Sequence, residues 1–113
     1  MGKRILPEFE MVEKELLRNS LKKLKYLDMT SRHTTMSQCL DMFMGDRQSV
    51  LVTPREIGEF FELKHVTIWF WIDKTIRRVF RNPRNYESYY NVRITDMKVD
   101  HVSGITSYCI EKK

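Results

Sequence analysis

The sequence predicts an α+β fold of the winged helix-turn-helix type: a short strand, a two-helix unit and a β-hairpin wing, preceded by an amphipathic N-terminal helix. Three observations predict it. Residues 53 to 72, TPREIGEFFELKHVTIWFWI, place apolar side chains at the spacing of two short helices joined by a tight turn. Two runs rich in Tyr, Val and Ile come next, joined by the turn-forming segment DHVSG. The order of strand, helix, turn, helix and hairpin is that of a winged helix, in which the short strand joins the hairpin sheet.

The first helix is expected from Pro7, followed by Glu8 and Glu10, to about Leu27. Proline is tolerated in a first turn, and acids favour the positive helix end. Phe9, Val12, Leu16, Leu17, Leu21, Leu24 and Leu27 form its apolar face, and Lys22, Lys23 and Lys25 make its end basic. Such a helix packs on its own domain, the reading favoured here, or pairs with a second copy. Residues 28 to 48 carry Ser, Thr, Asp and Gly around Met36, Cys39, Leu40 and Phe43, which reads as a loop with a short helix. Its methionines fill core gaps or make an adaptable partner surface. His33, among hydroxyl residues, is expected at the surface. The chain thus divides into an N-terminal part, 1–48, and a winged helix-turn-helix part, 49–113, within one compact domain.

Val50 to Thr53 reads as a strand, with Thr53 or the following turn capping a helix that begins at Pro54. Ile57 and Gly58 supply the apolar and small residues this unit needs in its first helix, where the second helix crosses closely. Phe61 and Leu63 close the turn, and Ile68, Trp71 and Ile72 give the second helix an inward stripe. Glu62 stands where glycine is commonest, so the backbone is expected to take another way round the corner. An ordinary pair of amphipathic helices burying aromatics satisfies the same local spacing. The second helix should end near Phe80, before the turn NPRNY. Two strands are expected after it, with Tyr89, Tyr90, Val92, Ile94, Met97 and Val99 in one and Ile105, Tyr108 and Ile110 in the other.

The net charge of +5 suits a polyanionic partner. Lys74, Arg77, Arg78, Arg81 and Arg84 crowd the end of the second helix and the turn beyond it, with only Asp73 of opposite sign between Lys64 and Arg84. With Arg55 they are the candidate DNA phosphate contacts, although helix C-termini also attract cations. Lys64, His65 and Thr67, at the start of that helix, are the candidate base readers. For His65 a capping or core hydrogen bond is the plain alternative. Lys98, His101 and the terminal Lys112 and Lys113 put positive charge on or near the wing. Trp69 and Phe70 fall outside the inward stripe. They are expected under the N-terminal helix or against another protein, with stacking on unpaired bases the lesser alternative.

Catalysis finds little support, with a His33, Cys39 and His101 cluster in three dimensions as the lesser alternative. His33, His65 and His101 are scattered, no nucleophile or phosphate-loop motif occurs, and four glycines leave little for cofactor loops, so no catalytic residue, metal or cofactor is expected. Cys39 and Cys109 form no CxxC or CxxH grouping and read as reduced core filler. No long apolar run occurs, and the first residues carry acids where a signal peptide needs its apolar block. A cytoplasmic protein without membrane contact is the expectation.

From about residue 50 to 113 the chain resembles the phage regulatory protein Rha family. TPREIGEFFELKH resembles the family's opening; His65, Ile68 and Ile72 resemble its histidine, valine and isoleucine; YYNVRITDMKVDHVSGITSYCIEKK resembles its strand, glycine turn and tyrosine-bearing strand. Family members usually continue into further helices, and residues 1 to 48 match no part of it. The resemblance implies phage or prophage gene regulation through double-stranded DNA. A homodimer on a two-part site is the expected form. The alternative is a small interaction module or inhibitor that binds a host or phage protein through Trp69, Phe70 and the methionine-rich segment.

Overall fold

A computed structural model of the chain describes residues 8–113. The opening of the first helix at Pro7 lies outside the described residues. Helix α1 runs over Glu8–Lys22 and is followed by a single 3-10 turn, Leu24–Tyr26. Leu17, Leu21 and Leu24 are buried, whereas Phe9, Val12 and Leu16 remain 69%, 55% and 62% exposed. The expected apolar face is therefore split. One flank packs on the domain, and the other faces solvent.

Helix α2, Met29–Met44, is a full 16-residue helix where a loop with a short helix was expected. Asp28 caps it by accepting the Ser31 amide at 2.8 Å, and Gly45, at φ 55°, ends it. Met36, Cys39, Leu40 and Met44 recur at spacings of three, one and four and are buried, so the inward face is built from sulfur and small groups rather than leucine alone. Met36 and Met44 thus fill the core, while Met29 and Met42 are half-buried.

Strand β1, Ser49–Val52, leads into helix α3, Pro54–Phe60. Thr53 and Glu56 form a capping box: the Thr53 hydroxyl accepts the Glu56 amide at 3.1 Å, and the Glu56 carboxylate accepts the Thr53 amide at 2.9 Å. Helix α4, Val66–Arg81, buries Ile72, Thr75, Ile76 and Val79. A short helix α5, Pro83–Tyr86, and a 3-10 turn, Glu87–Tyr89, occupy the expected turn, so that Tyr89, Tyr90 and Ile105, expected in strands, lie outside them. Strands β2, Val92–Val99, and β3, Thr106–Lys112, form the hairpin.

The sheet order is β1-β3-β2, antiparallel throughout, with Val52 opposite Tyr108 and Met97 opposite Tyr108 on the other side. The described residues thus form a compact α+β fold of five helices and a three-stranded antiparallel sheet, compatible with a winged-helix frame. One core joins residues from all these layers, including Leu21, Leu40, Ile57, Phe61, Ile76 and Ile110. The same antiparallel register puts Lys112 opposite Val92, at the end of the hairpin away from the tip. Lys112 Nζ donates to Gly45 O at 2.6 Å and Lys113 Nζ to Glu87 O at 2.9 Å, so the terminal lysines fasten the base of the hairpin rather than charging the wing.

Candidate nucleic-acid interface

The corner between α3 and α4 is built from two unusual positions. Glu62 itself takes the left-handed conformation, φ 61°, that the sequence expectation had denied it. The Leu63 amide donates to Gly58 O at 2.9 Å and the Glu62 amide to Glu59 O at 2.9 Å, the paired bonds of a Schellman ending. They satisfy carbonyls that would otherwise be orphaned, and this offsets the cost of positive φ at a side-chain-bearing residue. Gly58 is small for a specific reason. A Cβ there would lie 2.5 Å from Trp69 Cδ1 and 2.6 Å from Trp69 Nε1.

Trp69 is therefore the side chain by which α4 crosses α3. Its Nε1 donates to Leu63 O at 2.9 Å, and the Arg55 guanidinium lies 5.0 Å from its ring. It remains half-buried and borders the groove between α4 and the hairpin. Trp71, placed in the inward stripe by sequence, is half-buried, with Arg32 at 5.2 Å and Lys74 at 5.1 Å from its ring. Phe70 is the aromatic left open. It is 53% exposed and meets Trp71 edge to face at 5.7 Å.

The helix-start candidates are all exposed. Lys64 lies in the turn, His65 occupies the N-cap position of α4, and Thr67 stands in its first turn. His65 makes no side-chain cap bond; its carbonyl accepts the amides of Ile68 and Trp69 at 3.0 and 3.1 Å. Further along, Lys74, Arg78 and Arg81 lie exposed on α4, with Arg84 exposed on α5. Arg78 reaches the Met29 sulfur at 3.9 Å.

Arg77 stands apart from these. It forms an ion pair with Asp73 at 3.1 Å, and donates to the Tyr108 hydroxyl at 3.2 Å and to Thr106 Oγ1 at 3.3 Å. The Tyr108 hydroxyl in turn donates to Asp73 at 2.6 Å. Burial and that bond to Asp73 push the Tyr108 hydroxyl pKa up, so it remains a donor at every ordinary pH. These contacts tie the middle of α4 to β3 and set where the hairpin stands relative to the helix. With its charge balanced by Asp73, Arg77 positions the hairpin.

The hairpin tip is closed by Asp100, whose carboxylate accepts the Val102 and Ser103 amides at 2.9 and 3.4 Å. Those bonds, the Val102 amide foremost, hold its carboxyl below the usual range. Gly104 takes φ 74° to complete the turn. Lys98 and His101 are exposed on the wing, His101 at its tip. The tip, the start of α3 and α4 together border a shallow groove of about 340 Å³ lined by Arg55, Val66, Phe70, Arg77 and Ile105 among others.

Charge is distributed unequally across this face. Among the described residues, Lys64, Lys74, Arg81 and Arg84 form no ion pair. The neighbouring acids are engaged within the protein: Glu56 in the capping box, Glu59 with Arg55 at 3.3 Å, Asp73 with Arg77 and Tyr108, and Asp100 with its own turn. Glu62, exposed at the corner, and Glu87, exposed just after α5, stand outside this set.

Sequence reasoning missed His33. It is fully buried where exposure was expected, because Tyr86, Tyr89 and Tyr90 enclose it from more than fifty residues away. Its Nδ1 shares a 2.7 Å hydrogen bond with the Tyr90 hydroxyl, and its ring stacks on Tyr86 at 4.4 Å. Burial first, then the charges of Arg32 and Arg78, pushes its pKa down to about 4. Cys39 is fully buried as expected, and Cys109 is half-buried in β3. No helix among the described residues is long and apolar enough to cross a membrane. The chain matches no known family model, no curated protein and no solved structure.

Proposed function

We propose that this protein is a cytoplasmic, phage-type DNA-binding transcriptional regulator that lays α4 in the major groove of double-stranded DNA, with the hairpin acting as a wing. The observation that carries the reading is the outward face of α4: exposed cations without carboxylate partners, bordered by acids bound internally. Such a face is complementary to a polyanion, and its cations do not have to abandon internal pairs to meet one. Lys64, His65 and Thr67 are the base readers in this reading; Lys74, Arg78, Arg81 and Arg84 contact phosphates, as does Arg55 on leaving its exposed pair with Glu59. Lys98 and His101 approach the backbone from the wing. Arg77 fixes the distance between helix and wing. The likeness to the Rha family at TPREIGEFFELKH supports a phage or prophage setting.

The active form in this reading is a homodimer, matching a two-part site. Support comes from α1, whose outward Phe9, Val12 and Leu16 are unburied. Exposed Glu13 and Glu15 stand in the first half of the helix and exposed Lys22 at its end, so an antiparallel second copy brings opposite charges together.

A second reading, a protein-interaction module or inhibitor, is favoured by the apolar Val66, Phe70 and Ile105 on the same face. Binding of the purified protein to fluorescent duplex and single-stranded DNA at low and moderate salt, with an unlabelled acidic polymer as competitor, separates the two. The regulator binds duplex in a salt-sensitive manner that survives the competitor. Absence of duplex binding at low salt overturns it in favour of the interaction module.

A further inference from the structure

The crest of α4 is not uniformly basic. Val66, Phe70 and Lys74 lie on one line at four-residue spacing, opposite the buried Ile72, Ile76 and Val79. Val66 is 73% exposed and Phe70 53%. Hydrophobic groups of this size on the most outward line of a helix are not required by the core, which is complete beneath them. Nor is the Phe70 ring loose. Trp71 meets it edge to face at 5.7 Å, and the Lys74 ammonium stands 5.4 Å from its centre. Along the chain Lys64 precedes this ring in the turn before α4, and Lys74 and Arg81 follow it on the helix, all three exposed.

An exposed apolar centre on a helix whose neighbouring cations form no ion pair has a counterpart in the DNA major groove. Phosphates line the two rims, and on the floor the only apolar projection of an ordinary base pair is the C5 methyl of thymine. An acidic peptide in the groove that Val66 and Phe70 border would meet the same charge, and that occupant is an outcome of the test below. Resting on the DNA-binding reading above, we infer that Phe70, with Val66 beside it, reads thymine methyl groups and gives the protein a preference for thymine at the centre of each contacted half-site. Lys64, His65 and Thr67 then read polar base edges on either side.

The test uses a duplex enriched by the protein from a randomised pool, then remade with uracil in place of individual thymines. The exchange removes a methyl and leaves every hydrogen-bonding group in place. Loss of one buried methyl contact corresponds to about a fourfold loss of affinity. The wild type should show that loss at one or two thymines, Phe70→Leu should retain it in part, and Phe70→Ala should bind both duplexes alike. Because Phe70 is exposed, Phe70→Ala should unfold at the wild-type denaturant midpoint, which verifies that lost discrimination is not lost folding. Equal wild-type affinity for thymine and uracil duplexes, with salt-sensitive binding intact, overturns the inference and leaves the regulator standing. Failure to enrich any duplex overturns both and assigns Val66 and Phe70 to a protein partner.

Discussion

The surroundings of His33 and of Phe70 use similar materials to opposite ends. Around His33, Tyr86, Tyr89 and Tyr90 close over an ionisable ring, with Arg32 and Arg78 nearby. Around Phe70, Trp71 and Lys74 support an aromatic ring that remains open. In the first cluster burial excludes water, so the imidazole stays neutral and acts as a packing element with one hydrogen bond. In the second, water reaches both ring and ammonium, and stability is gained from neither to any large extent. Aromatic and cationic side chains near one another do not by themselves indicate a site. Enclosure decides whether they hold the fold or remain available to a ligand.

Acid should disrupt the first cluster while leaving the second unaltered. The folded-state pKa of His33, about 4, lies below its ordinary 6.5, so on acidification the unfolded chain takes up the proton first. Stability from this residue is thus fully present above about pH 6.5 and is lost as pH falls towards 4, by up to about 3 kcal/mol. Urea unfolding at a series of pH values measures it. In His33→Phe this part of the pH dependence should vanish, while at neutral pH the variant loses about 1 kcal/mol because the Tyr90 hydroxyl forfeits its partner. An unchanged pH profile in His33→Phe would show that other groups govern the acid limb.

Gly58→Ala probes the open cluster from beneath, since Trp69 seats the base of the Phe70 crest on that glycine. Alanine improves helix propensity by up to about 1 kcal/mol, but its methyl would enter the Trp69 ring, and overpacking of this kind costs about 1–3 kcal/mol. The expected net result is a lower denaturant midpoint and a tryptophan emission shifted as the indole moves. A stabilised variant with unchanged emission would mean that the helix pair has slack at its crossing.

Where local chemistry sufficed, the sequence was informative. Thr53 and Pro54 announce the α3 start, Gly58 marks the close crossing, and Asp100 to Gly104 mark the hairpin turn. The exposed positions of Lys64, His65, Thr67, Lys74 and Arg81 agree with helical spacing. The rest depends on distant partners. The helical character of residues 29 to 44 is hidden because Ser, Thr and Asp within a helix resemble loop punctuation, and their burial depends on α1, α3 and α4 packing around them. His33 is sealed by tyrosines remote in sequence, and Arg77 is drawn out of the cationic track by Tyr108 and Thr106 on β3. Phe9, Val12 and Leu16 share the helical spacing of buried residues, yet only one flank of α1 meets the domain.

Whether the unpaired cations of α4 meet DNA phosphates is decided by the salt dependence of duplex affinity. The wild type and Lys74→Ala/Arg81→Ala should be compared over a range of salt concentrations on the same duplex. Each lost phosphate contact lowers the slope of log affinity against log salt by about 0.9, so a slope shallower by about 1.8 in the double variant is expected. Both side chains are exposed, and the unfolding midpoint should not move. Identical slopes for the two proteins would refute phosphate contact by these side chains.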